Sequence, residues 1–214
     1  MPRFELIIFD LDGTLVDSQY DLASCVNKTR LHFGLDELEH LKIRSCVGNG
    51  VADLIAKSLF PLSDGETRGA EDFFRDCYSR HLLDSTRLYP GISEFLKQAS
   101  NINKAVLTNK SESYTLRILE GLGIAADFKA VLGGDSTENR KPHPEPILKI
   151  LKTLNIPPEK AVMAGDGRND LLSAKAAGIK SAAVGYGYTS PAELMALKPD
   201  YFIKSTLDFS VLLA

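Results

Sequence analysis

The sequence predicts an α/β fold: a Rossmann-like three-layer core built on a parallel sheet, carrying an inserted all-helical subdomain. Three observations predict it. Short apolar runs alternate with amphipathic helical stretches through the second half of the chain. Residues 18–84, by contrast, read as helices with no convincing strand among them. The 214 residues are 44% hydrophobic and 25% charged, with 16 Gly and 10 Pro, a globular balance that can bury a sizeable core and that excludes collagen-like and low-complexity architectures.

The elements follow in order. Residues 4–11 (FELIIFDL) form a short β-prone apolar run that stops at Asp12-Gly13-Thr14, as a buried strand ending in a turn does. Ser18 with Asp21 resembles a helix-start capping box, and residues 20–33, 38–47, 51–59 and 66–83 then carry helical spacing. The turn-rich stretch 84–91 (DSTRLYPG) marks the return to the core. The two connections read as natural hinges. Residues 104–108 (KAVLT), 161–164 (AVMA) and 181–184 (SAAV) are further strands, each followed within a few residues by a helical pattern. Helices are expected over 113–122, 145–154 and 169–177. The domain division is therefore 1–17 with 85–214 for the core, and 18–84 for the insert.

Charge and cysteine usage narrow the partners. Lys plus Arg is 25 against 28 for Asp plus Glu, a formal net charge of −3, which leaves no basic excess for a nucleic-acid backbone. No apolar stretch approaches about 20 residues, so no membrane span is expected. Cys25, Cys46 and Cys77 are odd in number and too widely spaced for a short zinc motif; they read as reduced thiols. Two glycosylation tripeptides, beginning at Asn27 and Asn109, stand without any signal-peptide pattern at the start. The expected address is cytoplasmic. His32, His40, His81 and His143 show no shared ligand spacing.

The chemistry concentrates at strand ends. Asp10 and Asp12 close the first apolar run two residues apart, so strand periodicity sends both carboxylates to one side. Crowded carboxylates repel, and a hard cation such as magnesium relieves that repulsion with oxygen ligands. Thr108-Asn109 follows the second core strand, Lys141-Pro142 precedes a helix, and Gly165-Asp166-Gly167-Arg168-Asn169-Asp170 follows a later strand. A parallel sheet gathers all of these on one rim, where ligands bind. A hydroxyl, a cation and two more carboxylates facing the first pair are the inventory of metal-assisted phosphoryl transfer. Taken singly, each has a plainer reading as a cap, a turn or a solvated lysine. Their order and shared placement favour the chemical one.

Asp10-Leu11-Asp12-Gly13-Thr14, Leu107-Thr108-Asn109, Lys141-Pro142 and the Gly165–Asp170 segment resemble, in order, the four motifs of the haloacid dehalogenase-like phosphatases. The insert is similar to that family's helical cap. Val47-Gly48-Asn49-Gly50-Val51, Leu88-Tyr89-Pro90-Gly91, Thr108-Asn109-Lys110, Gly133-Gly134-Asp135, Lys141-Pro142-His143-Pro144 and Gly185-Tyr186-Gly187-Tyr188 further resemble bacterial phosphoglycolate phosphatases. Gly167 departs from the pattern, since many relatives carry Ser or Thr there.

The resemblance implies a magnesium-dependent phosphatase of a small phosphorylated metabolite, foremost 2-phosphoglycolate; a monomer or homodimer is expected. It implies Asp10 as nucleophile forming an aspartyl-phosphate, and Asp12 as acid and then base. Thr108, the Asn109 amide and Lys141 would hold phosphate oxygens. Asp10, the Asp12 carbonyl and Asp166 would ligate the metal, and Asp170 would orient a metal-bound water or Lys141. In the cap, Gly48 and Gly50 would bring backbone close to the ligand, and Arg44 would pair with a substrate carboxylate. Rival expectations are a phosphatase of sugar phosphates, nucleotides or pyrophosphate, a phosphomutase, and a non-catalytic binding protein on the same fold.

Overall fold

The structure, a computed structural model, describes residues 4–61 and 63–213. The first strand, β1 (Leu6–Phe9), is wholly buried and ends two residues earlier than its apolar run. The chain then folds back through the turn at Leu11–Val16 into a two-residue strand, β2 (Val16–Asp17), and climbs into four helices: α1 (Gln19–His32), α2 (His40–Arg44), α3 (Val51–Ser58) and α4 (Asp64–Arg80). It returns through β3 (Arg87–Leu88), which pairs antiparallel with β2.

The core then runs α5 (Ile92–Gln98), β4 (Asn103–Leu107), α6 (Glu112–Gly121), β5 (Ala130–Leu132), α7 (Glu145–Leu154), β6 (Ala161–Gly165), α8 (Arg168–Ala177), β7 (Lys180–Val184), α9 (Pro191–Ala196) and β8 (Tyr201–Ile203). Six strands pair in the order β5-β4-β1-β6-β7-β8, every neighbour parallel. The central strand is β1, with β4 on one side and β6 on the other. That reversal is the topological switch point of an open α/β sheet.

Alternation along the strands builds the three layers. Ile7, Phe9, Val106 and Val162 face one way, onto Ile92, Phe95, Ile118 and Phe209. Leu6, Ile8, Ala105 and Met163 face the other, onto Ile147, Ile150, Leu151 and Ala174. The first of these clusters continues through Leu11, Leu15 and Val16 into Leu22, Val26, Ile55, Phe74 and Tyr78 of the helical insert. The insert thus shares apolar packing with the core. Ala70, Phe74, Cys77 and Tyr78 repeat at helical spacing and bury one face of α4 against α1, where the Cys25 and Cys77 thiols meet.

Several local expectations are corrected. The Ser18–Asp21 capping box does not form, because both side chains have tertiary partners. Asp21 accepts from the Ser85 and Thr86 amides and the Thr86 hydroxyl at 2.7–3.0 Å, while Ser18 Oγ donates to Asp12. Asp21 and the β2–β3 pair tie together the two connections read as hinges. The helix expected over 38–47 contracts to α2, and within the insert a capping box forms at Ser63 and Glu66, ahead of α4. β2, β3, β5 and β8 escape periodicity because each is only two or three residues long.

Candidate active site

Asp10, Thr108 and Asp166 each follow the last residue, or nearly so, of three adjacent strands, with Phe9 in register with Val106 and Ala164. That pairing is what brings residues remote in sequence to one rim. Lys141 completes the floor from the loop before α7, where its peptide bond to Pro142 is cis. Its Nζ donates to Leu107 O at 2.7 Å and Asp170 Oδ1 at 2.6 Å, and lies 3.0 Å from Asp10 Oδ1. All three ammonium protons are therefore engaged. Burial alone would lower the pKa of Lys141, but the charges of Asp10 and Asp170 outweigh it and hold the ammonium above its ordinary value.

Asp10, Asp166 and Asp170 offer ligand oxygens within 4.8 Å of one another. Burial, and then the Asp170 charge, push Asp10 up to about 7. Burial followed by the Asp10 and Asp170 charges pushes Asp166 well above the usual carboxylate range. Lys141 leaves this cluster with more negative than positive charge, and the donor set is all oxygen. Both features fit a hard divalent cation. Asp166 is held by one donor on each oxygen: it accepts from the Thr14 hydroxyl at 3.1 Å and the Tyr188 amide at 2.7 Å. A Cβ at Gly187 would collide with Asp166 and with the Gly13 carbonyl, so only glycine lets this loop close against the carboxylate. Asp170 is braced by the Gly167 amide, which donates to Oδ2 at 2.9 Å.

Asp12 stands apart. Its side chain does not join the carboxylate cluster; the strand has already ended, and Asp12 lies in the turn beyond it. The expected crowding of Asp10 and Asp12 around a cation is corrected accordingly: Asp12 is held by Ser18 and by Lys110, whose Nζ lies 3.0 Å from Oδ2.

Above the floor lies a cavity of about 290 Å³ between core and cap. Asp10, Asp12, Thr108, Asn109, Asp166 and Asp170 line its base, and Leu22, Val47, Leu54, Phe74 and Tyr78 line its roof. The Gly48–Gly50 loop closes one side. Asn109 Nδ2 donates to Gly48 O at 2.9 Å and to Lys141 O at 3.0 Å, and Asn169 Nδ2 donates to Asn49 Oδ1 at 2.6 Å. Gly50 packs close to the Asn109 carbonyl and the Arg140 guanidinium; Gly48 needs glycine for its φ of 123° and has open space beside it. Arg44 does not line the cavity, and its charge acts instead on the Tyr89 phenol. Sequence reasoning missed the roles of Thr14, Ser18, Lys110, Tyr78 and Tyr188. The Gly-x-Gly spacing around Tyr186 was the available signal for the last of these.

A family model described as haloacid dehalogenase-like hydrolase matches residues 7–184. The chain belongs to the haloacid dehalogenase-like hydrolases. This hydrolase is 37% identical over 201 residues to a phosphoglycolate phosphatase of Chromobacterium violaceum, covering 91% of this chain and 90% of that protein. It is 39% identical to a phosphoglycolate phosphatase of Colwellia psychrerythraea, over 86% and 85% of the two chains. The crystal structure of a predicted phosphoglycolate phosphatase from Haemophilus somnus superposes with a TM-score of 0.94 at 30% identity, covering all of both chains. The hydrolase is an enzyme, a phosphatase by family. No helix among the described residues is long and apolar enough to cross a membrane.

Proposed function

We propose that this hydrolase removes phosphate from a small phosphomonoester, foremost 2-phosphoglycolate, in a magnesium-dependent reaction through a phosphorylated Asp10. The observation that carries the reading is the convergence of Asp10, Asp166 and Asp170 at the base of the cavity, with the buried Lys141 against Asp10 and Asp170. The relatives' names support the substrate. Asp10, Asp166 and the Asp12 carbonyl would hold magnesium, with Asp170 beside them. When bound, the cation offsets the charge that builds on the phosphate oxygens and on the carboxylates around them.

The chain's own groups do the rest. The Asp10 carboxylate attacks phosphorus while Asp12 gives its proton to the leaving oxygen; Asp12 then takes a proton from the water that cleaves the aspartyl-phosphate. Lys141, pinned by Asp170 and the Leu107 carbonyl, presents a fixed positive charge beside Asp10. Thr108 Oγ accepts from the Lys110 amide at 3.2 Å, which leaves its own proton to donate to a phosphate oxygen. The apolar roof excludes bulk water from the first step. The setting is the cytoplasm, with the enzyme acting as a monomer or homodimer.

Phosphate release from a panel of small phosphomonoesters, with magnesium and with EDTA, tests the reading. Turnover of 2-phosphoglycolate should exceed that of sugar phosphates, nucleotides and pyrophosphate, and should vanish with EDTA. Undiminished turnover in EDTA, or release of no phosphate from any ester, refutes it.

A further inference from the structure

The groups proposed to handle phosphate leave one buried cation of the cavity with a donor to spare. Two cationic side chains line the cavity, Lys110 and Arg168. Arg168 is exposed to solvent, whereas the Lys110 side chain is only 6% exposed. Lys110 comes from the loop after β4 and reaches up into the cap, where its Nζ donates to the Tyr78 hydroxyl of α4 at 2.8 Å and lies 4.6 Å from the centre of that ring. With Asp12 as its other partner, two of the three ammonium protons are taken. The Tyr78 oxygen accepts from Lys110, so its own hydrogen is free, and no acceptor for it is found among the described residues.

Position decides what these donors suit. Asp12 must reach the leaving oxygen at hydrogen-bond distance, and Lys110 lies 3.0 Å from Asp12 on the cavity side. The ammonium therefore borders the organic half of the substrate, next to the ester oxygen. A carboxylate on the carbon that bears this oxygen falls about 3 Å from it by ordinary bond lengths. The neighbouring roof residues Leu22, Leu54 and Phe74 are apolar and offer such an anion no partner. Arg44, the partner expected from sequence, lies outside the lining.

Resting on the phosphatase reading above, we propose that Lys110 and the Tyr78 hydroxyl form the carboxylate-recognition site, selecting phosphate esters of α-hydroxy acids over esters of neutral alcohols. The site bridges the two domains. It makes selection depend on the cap being seated, because one donor comes from the core and the other from α4.

The test compares 2-phosphoglycolate with 2-hydroxyethyl phosphate, in which a neutral hydroxymethyl group replaces the carboxylate, by kcat/KM in the magnesium-loaded wild type, Lys110→Met and Tyr78→Phe. A lost charge-assisted hydrogen bond should lower the preference for 2-phosphoglycolate about 10- to 100-fold in Lys110→Met, and about threefold to tenfold in Tyr78→Phe. Equal losses on both substrates overturn the proposal and leave Lys110 as a support for Asp12, with the phosphatase reading intact. A wild type that shows no preference for 2-phosphoglycolate overturns the substrate reading and this inference with it. Should Lys110→Met fail to fold in a thermal melt, Tyr78→Phe decides, since its ring keeps the packing: an unchanged preference there also overturns the proposal.

Discussion

The floor of the cavity, built from the ends of β1 and β6, the start of α8 and the loop before α7, holds Asp10, Lys141, Asp166 and Asp170 in fixed polar contacts, whereas the roof, contributed by α1, α3 and α4, presents Leu22, Leu54 and Phe74. On the floor, charged groups are locked by short hydrogen bonds to backbone and to one another. In the roof, shape and dryness dominate, and the polar exceptions are Tyr78 and the backbone of the Gly48–Gly50 loop. The contrast teaches a division of labour. On the proposed function, a charge array that recognises phosphate need not know the rest of the substrate, while a mostly apolar roof can strengthen those charges by removing water. Selection then falls to the few polar groups that the roof and its border retain.

The largest expected effect isolates the floor. Asp10→Asn should lower kcat by about 10⁴-fold or more, since the amide keeps the shape and loses the nucleophile. At pH 5 its melting temperature should stay near that of the wild type. Substantial residual phosphate release would remove Asp10 from its role. Lys141→Ala strands Asp10 and Asp170 as buried charges, so chemical unfolding should show a loss of about 3–5 kcal/mol along with the loss of turnover. Unchanged stability would mean that the floor is not held by this ion pair.

A roof substitution should be milder for chemistry and still visible in stability. Leu54 is 4% exposed, so Leu54→Ala should cost about 2–4 kcal/mol in denaturant titration. A loss of kcat as large as that of Asp10→Asn would erase the distinction between the two walls.

The charge of the floor gives a pH signature. Asp10 rises from 3.8 to about 7 on folding, so the folded chain keeps a proton that the unfolded chain has released. This contribution to stability is full below about pH 4 and is lost as pH climbs to about 7. In EDTA, wild type should therefore lose a few degrees of melting temperature relative to Asp10→Asn between pH 5 and pH 8. Magnesium should restore more of it at pH 8 than at pH 5. A gap that is constant with pH would contradict the raised carboxyl. The smallest effect concerns the contact between floor and roof: Asn169→Ala removes the 2.6 Å bond to Asn49 and should raise KM about threefold to tenfold with little change in kcat. An unaltered KM would show that this contact does not hold the loop over the site.

Legibility in the sequence followed burial and length. β1, β4, β6 and β7 are apolar runs buried on both faces, and α7 lies where its periodicity puts it, at Glu145–Leu154. β5 is three half-buried residues beside β4, and β8 is equally short at the opposite edge, so neither leaves a run to read. Local grammar misled where a distant partner competed for the same side chain. Ser18 and Asp21 have capping-box spacing, yet Ser18 turns to Asp12 and Asp21 turns to the return strand. Asp10, Asp12, Thr108, Asn109, Lys141, Asp166 and Asp170 were all marked by motif and all lie at the base of the site; Arg44 was marked by charge and loop proximity alone and lies elsewhere.

By itself the sequence determined the α/β class, the helical insert and the residues that converge on the cavity floor, because apolar periodicity and motif order are written locally along the chain. Only the tertiary structure decided that Asp12 leaves the carboxylate cluster to pair with Lys110, and that Tyr78 meets the same ammonium from the cap. Those partners are brought together by parallel strand pairing and by packing of α1 and α4, and no local pattern encodes a contact that exists only once the sheet has closed and the insert has folded over it.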